Sequence, residues 1–195
     1  DKFATVNINA DNIYVESTAE KEGNSSGLVT MSQGQMNVHG NLEVHADNAI
    51  TTRGGSTLNI NNADSDAKNT TKLYGDISFA YDQATSGTPV DATVNVNLSG
   101  SESVWEGNTK IKWNLDKGKY EDIKDKLDVN NCNVTLSDGA KWNATNVVDV
   151  GIGEKEGAQY VALNKLTLND GVVNLDKLDK QKLEVQNLAG TGGTI

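Results

Sequence analysis

Leu166-Thr167-Leu168-Asn169-Asp170-Gly171 is the stretch on which the reading of the fold turns. Apolar and polar residues alternate over four positions, and a small polar pair then leads into glycine. That is the pattern of a short β-strand ended by a turn. The same pattern stands at Val134-Thr135-Leu136-Ser137-Asp138-Gly139 without a gap, and at Val96-Asn97-Leu98-Ser99-Gly100 one residue shorter. From Val96 to Val134 is 38 positions, and from Val134 to Leu166 is 32. Copies at such spacing signal a repeat architecture, in which one unit cannot bury its apolar face alone and neighbours share a core.

The alternation continues in both directions. Upstream, Val6 and Ile8 alternate with Asn7 and Asn9, and Ile13 and Val15 follow. Met36 and Val38 lead to Leu42 and Val44, Leu58 and Ile60 alternate with Asn59 and Asn61, and Leu73 precedes Ile77 and Phe79. Downstream stand Leu183 and Val185. These runs predict an all-β chain, a right-handed parallel β-helix (solenoid) formed by residues 1–195 as a single segment. At roughly 20–25 residues per coil it would make about eight coils, ~40 Å of rod. Outward Asn and Thr would ladder from coil to coil. Residues 20–27 and 82–91 read as protruding loops. Tyr120, Ile123 and Leu127 have helical spacing, which predicts one short helix inserted over residues 116–127. A β-sandwich is the rival, but it needs no triplet of glycine-ended copies.

Composition agrees with a narrow repeated core. Aromatics are 5% of the chain while Asn numbers 24, whereas one large core would call for more aromatic bulk. Pro89 is the one proline, so no proline-rich linker divides the chain. The net charge of −10 argues against nucleic acid, which needs a basic face to displace counterions. Six lysines lie between Lys110 and Lys126, but Asp116, Glu121, Asp122 and Asp125 are interleaved with them, as on a solvated segment. Cys132 is alone, so it has neither a disulfide partner nor a zinc-site companion and reads as a packing residue. No apolar run reaches the ~18–20 residues of a membrane helix. A start at Asp1 inside a strand-like pattern, and an end just after Gly190-Thr191-Gly192-Gly193, suggest a piece of a longer protein.

The last third carries a resemblance. Leu136-Ser137-Asp138-Gly139-Ala140-Lys141-Trp142-Asn143 is similar to the LxxGAxW coil near the end of pertactin-like autotransporter passengers. Residues 161–173, with Leu166-Thr167-Leu168-Asn169-Asp170-Gly171-Val172-Val173, resemble the coil that follows it. Residues 183–193 resemble the segment leading into the autochaperone, whose continuation is absent beyond Ile195. The motifs occur in family order and mark residues 132–195 as pertactin-like C-terminal coils. The resemblance implies a passenger of a Gram-negative bacterium, displayed at the cell surface or secreted, and joined to the membrane only through a C-terminal barrel that is missing here. It implies partners among host surface or matrix molecules, or a second copy of the chain, and no nucleic acid.

The residues themselves offer little chemistry. His39 and His45 sit in alternating contexts that turn both away from the apolar face; a shared metal would require them to stack, and two exposed polar positions is the plainer reading. Asp64 with Asp66, and Glu102 with Glu106, are the pairs that would serve a polysaccharide-active β-helix enzyme. Asp64-Ser65-Asp66 also alternates oxygen ligands, but without the glycine and distal glutamate of a calcium loop. Trp105, Trp113 and Trp142 would form a carbohydrate platform if exposed, and fill the core if not. The expectation is therefore no enzyme and no cofactor, and no catalytic, cofactor-binding or metal-ligating residue is nominated. The function expected is adhesion or self-association through the faces and loops of a rigid rod. The alternatives are a polysaccharide-active enzyme and a non-binding stalk for an N-terminal effector.

Overall fold

The computed structural model describes residues 3–20, 23–82, 92–122, 130–147, 153–179 and 181–195. Among them are thirteen strands: β1 (Thr5–Glu16), β2 (Ser26–Thr30), β3 (Gln35–Thr52), β4 (Thr57–Ile60), β5 (Thr71–Asp82), β6 (Ala92–Ser99), β7 (Val104–Gly107), β8 (Thr109–Asn114), β9 (Asn130–Ser137), β10 (Lys141–Ala144), β11 (Glu156–Tyr160), β12 (Leu163–Asn174) and β13 (Val185–Thr194). Two 3-10 turns, Asp64–Asp66 and Tyr120–Asp122, are the helical elements among the described residues.

The strands pair in parallel, in register, along two ladders. The first runs β3-β4-β6-β9-β12, and the second runs β3-β5-β7-β10-β12. Both share their first and last strands, because β3 and β12 pass through both ladders unbroken. Met36 of β3 faces Leu58 while Val44 faces Leu73. Leu166 of β12 faces Val134 while Val173 faces Trp142. The eight strands therefore close into a ring, a parallel β-barrel, and this overturns the expected open right-handed β-helix. The alternation located the runs, and the three glycine-ended copies do lie on the neighbours β6, β9 and β12. What alternation does not carry is which runs continue through a bend into a second ladder, and that continuity closes the ring.

β1 and β13 lie outside the ring, β1 on β3 and β13 on β12. A third group, β2-β3-β5-β8, completes the enclosure, and β11 pairs antiparallel to β8. The inserted helix expected over residues 116–127 is corrected to the single 3-10 turn Tyr120–Asp122; residues 123–127 lie outside those described. Of the loop expected over 20–27, the last two residues belong to β2. Residues 83–91 of the other expected loop are not among those described.

Inward rows of Val, Ile and Leu fill the ring. Val38, Ile60, Val96, Val134 and Leu166 form one row, each at most 1% exposed. Burying such a side chain contributes about 1.5–3 kcal/mol. Leu73, Trp105 and Trp142 form another row, where the two indoles stack at 4.5 Å and 8°. Their Nε1–H groups donate to the carbonyls of Gly75 and Gly107, both at 3.0 Å. Glycine is required at both places. A Cβ on Gly75, whose φ is +133°, would lie 1.9 Å from the Ala46 carbonyl oxygen, and one on Gly107 would lie 2.1 Å from the Gly75 oxygen. Cys132 is fully buried, and burial pushes its thiol up, which keeps it an inert packing group.

Candidate functional surfaces

The outer side of the first ladder is an amide and hydroxyl face. Alternation turns Asn7, Asn37, Asn59, Asn95 and Asn133 outward at matching register positions. Asn37, Asn59, Asn95 and Asn133 each donate from Nδ2 to the Oδ1 of the Asn before them in the ladder. The four bonds from Asn37 to Asn7, Asn59 to Asn37, Asn95 to Asn59 and Asn133 to Asn95 are all 2.8 Å. Asn164 extends the ladder onto Asn133 at 2.8 Å, and Asn187 donates to the Asn164 carbonyl at 3.0 Å. Consecutive partners are 30, 22, 36, 38 and 31 residues apart. The ladder therefore belongs to the fold and to no single sequence motif.

On either side run Thr5-Gln35-Thr57-Thr93-Asn131 and, in pieces, Asn9-His39 and Asn97-Thr135-Thr167. None of these rows contains a carboxylate, in a chain of net charge −10. A groove of about 430 Å³ lies on this face, lined by Asn62, Asn95, Asn133, Thr135, Lys165 and Thr167. Its lining offers amide and hydroxyl groups and the Lys165 ammonium for hydrogen bonding.

The outer side of the second ladder is charged and aromatic. Tyr14, Glu43 and Lys72 form one row, and Glu16, His45, Tyr74 and Glu106 the next. His45 stacks on Tyr74 at 4.5 Å and meets the Glu43 carboxylate at 2.7 Å. That hydrogen bond holds the Glu43 carboxyl below the usual carboxylate range, against a smaller opposing effect of burial.

Beside this face is a polar cavity of about 170 Å³ whose lining includes Asp47, Asp76, Glu106 and Lys110. Lys110 is 2% exposed; its Nζ bonds Asp76 Oδ2 at 2.9 Å, and Asp76 Oδ1 accepts from the Asn108 backbone N–H at 2.9 Å. Burial pushes the Asp47 carboxyl up, but hydrogen bonds from the Ser25 hydroxyl and backbone N–H and from the Gly23 backbone, with the nearby Lys110 charge, together hold the group below its ordinary value. Sequence reasoning missed this cluster. In Thr109-Lys110-Ile111-Lys112-Trp113 the alternation sets Lys110 opposite the core residues Ile111 and Trp113, a position that ordinarily means solvent.

The sequence candidates fall in separate places. His39 Nδ1 meets Asp66 Oδ2 at 2.6 Å, and Asp66 also accepts from the Ala63 backbone N–H, so the pair pins the turn after β4 onto β3. His45 lies on the other face with Glu43, so no site joins the two histidines. Asp64 is exposed while Asp66 is buried, and Glu102 is exposed in a turn while Glu106 reaches the cavity. Trp105, Trp113 and Trp142 are each at most 1% exposed and fill the core, leaving no aromatic platform. Among the described residues no group of three or more His, Cys, Asp or Glu is placed to hold a metal ion. Among them, too, no helix is long and apolar enough to cross a membrane. No known protein family, no curated protein and no solved structure matches this chain.

Proposed function

We propose that this chain is the binding segment of an exported bacterial surface protein, an autotransporter passenger acting in adhesion, and that its amide face makes the contact. The observation that carries the reading is the uncharged Asn ladder, which joins β1, β3, β4, β6, β9 and β12 side chain to side chain. A flat array of amides and hydroxyls with spare hydrogen-bonding capacity makes many weak contacts, and no carboxylate in its rows must be desolvated or repelled when it does so. The pertactin-like motifs of residues 132–195 support display at the cell surface or secretion.

The enzyme alternative would have to use the Asp47–Asp76–Lys110 cavity. Hydrolysis of a glycosidic bond needs a carboxyl held protonated near neutral pH, and Asp47 is shifted the other way. Asp76 is committed to Lys110 and to the Asn108 N–H. The cavity therefore serves better as a structural knot than as a reaction centre.

The test is adhesion by cells that display the protein with and without residues 1–195, to matrix-coated surfaces and to one another. Loss of adhesion at equal surface display is expected. Unchanged adhesion would reduce the segment to a stalk.

A further inference from the structure

We propose that the groove on the amide face takes an acidic glycan of the host matrix, one with carboxylates on some of its sugars, and that Lys165 is the charge partner of a carboxylate. The inference rests on the reading of the amide face as the binding surface and names the ligand of that face.

The groove is built from the interior of the sheet. Its floor is β6, β9 and β12, and these are flanked by further strands of this chain, β4 beside β6 and β13 beside β12. Two outward rows cross it. Asn95, Asn133 and Lys165 form one, and Thr135 and Thr167 the other. Asn62, just after β4, borders the groove and is tied down by its Nδ2–H, which donates to the Asn95 carbonyl at 2.9 Å. At about 430 Å³ the groove is in the size range of small-ligand sites.

The charge in the groove stands alone. Lys165 takes the register position between Asn133 and Asn187, in the row where the earlier strands carry Asn. It is exposed and makes no ion pair among the described residues. By contrast Lys72, Lys110, Lys119 and Lys177 each lie within 3.7 Å of a carboxylate. No carboxylate lines the groove, although the whole chain carries net charge −10. The ligand supplies the counter-charge that the protein withholds here.

The rest of the lining suits sugar. Backbone groups of these strands are paired within the sheet, so the face recognises a ligand through side chains. Asn95 and Asn133 each use one N–H and one oxygen site in the ladder and keep a second of each. A sugar hydroxyl both donates and accepts, so it meets such an amide in either sense. No aromatic side chain lines the groove for a pyranose face to stack on. A neutral sugar therefore gains hydrogen bonds that water also offers, whereas a carboxylate gains the stronger charge-assisted bond to Lys165. One cation against a net charge of −10 also limits the charge density of the ligand. Carboxylates on alternate sugars fit, and a densely sulfated chain is repelled.

NMR titration of isotope-labelled residues 1–195 with a hyaluronan octasaccharide, which carries carboxylates on alternate sugars, tests this. Shift changes are expected at Thr135, Lys165 and Thr167. The affinity should exceed that for the same oligosaccharide with its carboxylates reduced to alcohols by at least about tenfold, as a charge-assisted bond implies. Lys165→Ala should lose the same factor, and Lys165→Arg should keep most of the affinity. Lys141→Ala, at an exposed lysine of the second ladder, should leave it unchanged. Absence of binding, equal affinity for the acidic and reduced forms, or wild-type affinity in Lys165→Ala would each overturn the proposal. Tighter binding of a heparin octasaccharide would overturn the sparsely charged ligand. Displaying cells separate this inference from the adhesive reading. If they adhere and Lys165→Ala leaves adhesion intact, the amide face stands and this ligand falls. If they do not adhere while the purified chain binds as expected, the ligand stands and the adhesive reading falls.

Discussion

The two ladders handle polar groups in opposite ways. On the first, polarity is repeated along the outer side: one ladder Asn on each strand, half-buried except for the exposed Asn7, and bonded to the next at 2.8 Å. Beside the second, polarity is single and buried: Lys110 against Asp76, with one backbone N–H completing the set. A repeated polar row spreads the cost of any one change, because its neighbours still reach water. A buried ion pair concentrates the cost, since removal of either partner leaves a charge without a counter-charge. The first arrangement leaves a surface free to bind, and the second fixes the enclosure.

The largest effect expected from breaking this contrast is at the buried pair. Lys110→Met should lower the unfolding free energy by about 3–5 kcal/mol, the usual cost of orphaning a buried charge. Adding Asp76→Leu should recover most of it, and urea denaturation of the two variants measures both. If the double variant is no more stable than the single, Asp76 is not the group left stranded.

In the ladder, Asn95→Ala removes two amide bonds, one to Asn59 and one from Asn133. At about 0.5–1.5 kcal/mol per bond, and with water free to replace each, the loss should be about 1–2 kcal/mol. A loss as large as that at Lys110 would show that the ladder is structural and not a spare surface.

Acid sharpens the contrast on the second side. The folded carboxyls of Asp47 and Glu43 both lie below their unfolded values. Their stabilisation is therefore present above the unfolded pKa values, about 3.9 for Asp and 4.3 for Glu, and fades as pH falls through the lower folded values. Thermal melts should be flat with respect to these groups above about pH 5 and drop below about pH 4. Asp47→Asn should make that drop shallower. The smallest effect belongs to the exposed pair Lys177–Glu106 at 3.4 Å, where Lys177→Ala should change stability by about 0–1 kcal/mol in the same denaturation assay.

Much of the amide face could be read from the sequence. Asn7, Asn9, Asn37, Asn59, Asn95 and Asn133 each stand between apolar residues, so period-two alternation alone puts them outward. The glycine-ended copies at Val96, Val134 and Leu166 likewise became neighbours in the sheet. The closure of the ring was not legible. It depends on β3 and β12 bending without a break, and a bend at a glycine such as Gly40 leaves the same sequence trace as a strand end. Nor was the cavity, because alternation reports which side of a strand a residue takes but not what lies there. Lys110 and Asp76 are 34 residues apart, a separation no local pattern records.

The central claim is that the amide face makes the contact, and negative charge added to one ladder or the other tests it most directly. Thr135→Glu with Thr167→Glu places two carboxylates on the amide face; Val172→Glu with Asn174→Glu places two on the outer side of the second ladder. Adhesion of displaying cells is measured for both at matched surface levels. The account predicts strong loss for the first variant and near wild-type adhesion for the second. Equal loss in both, or loss confined to the second, would contradict it.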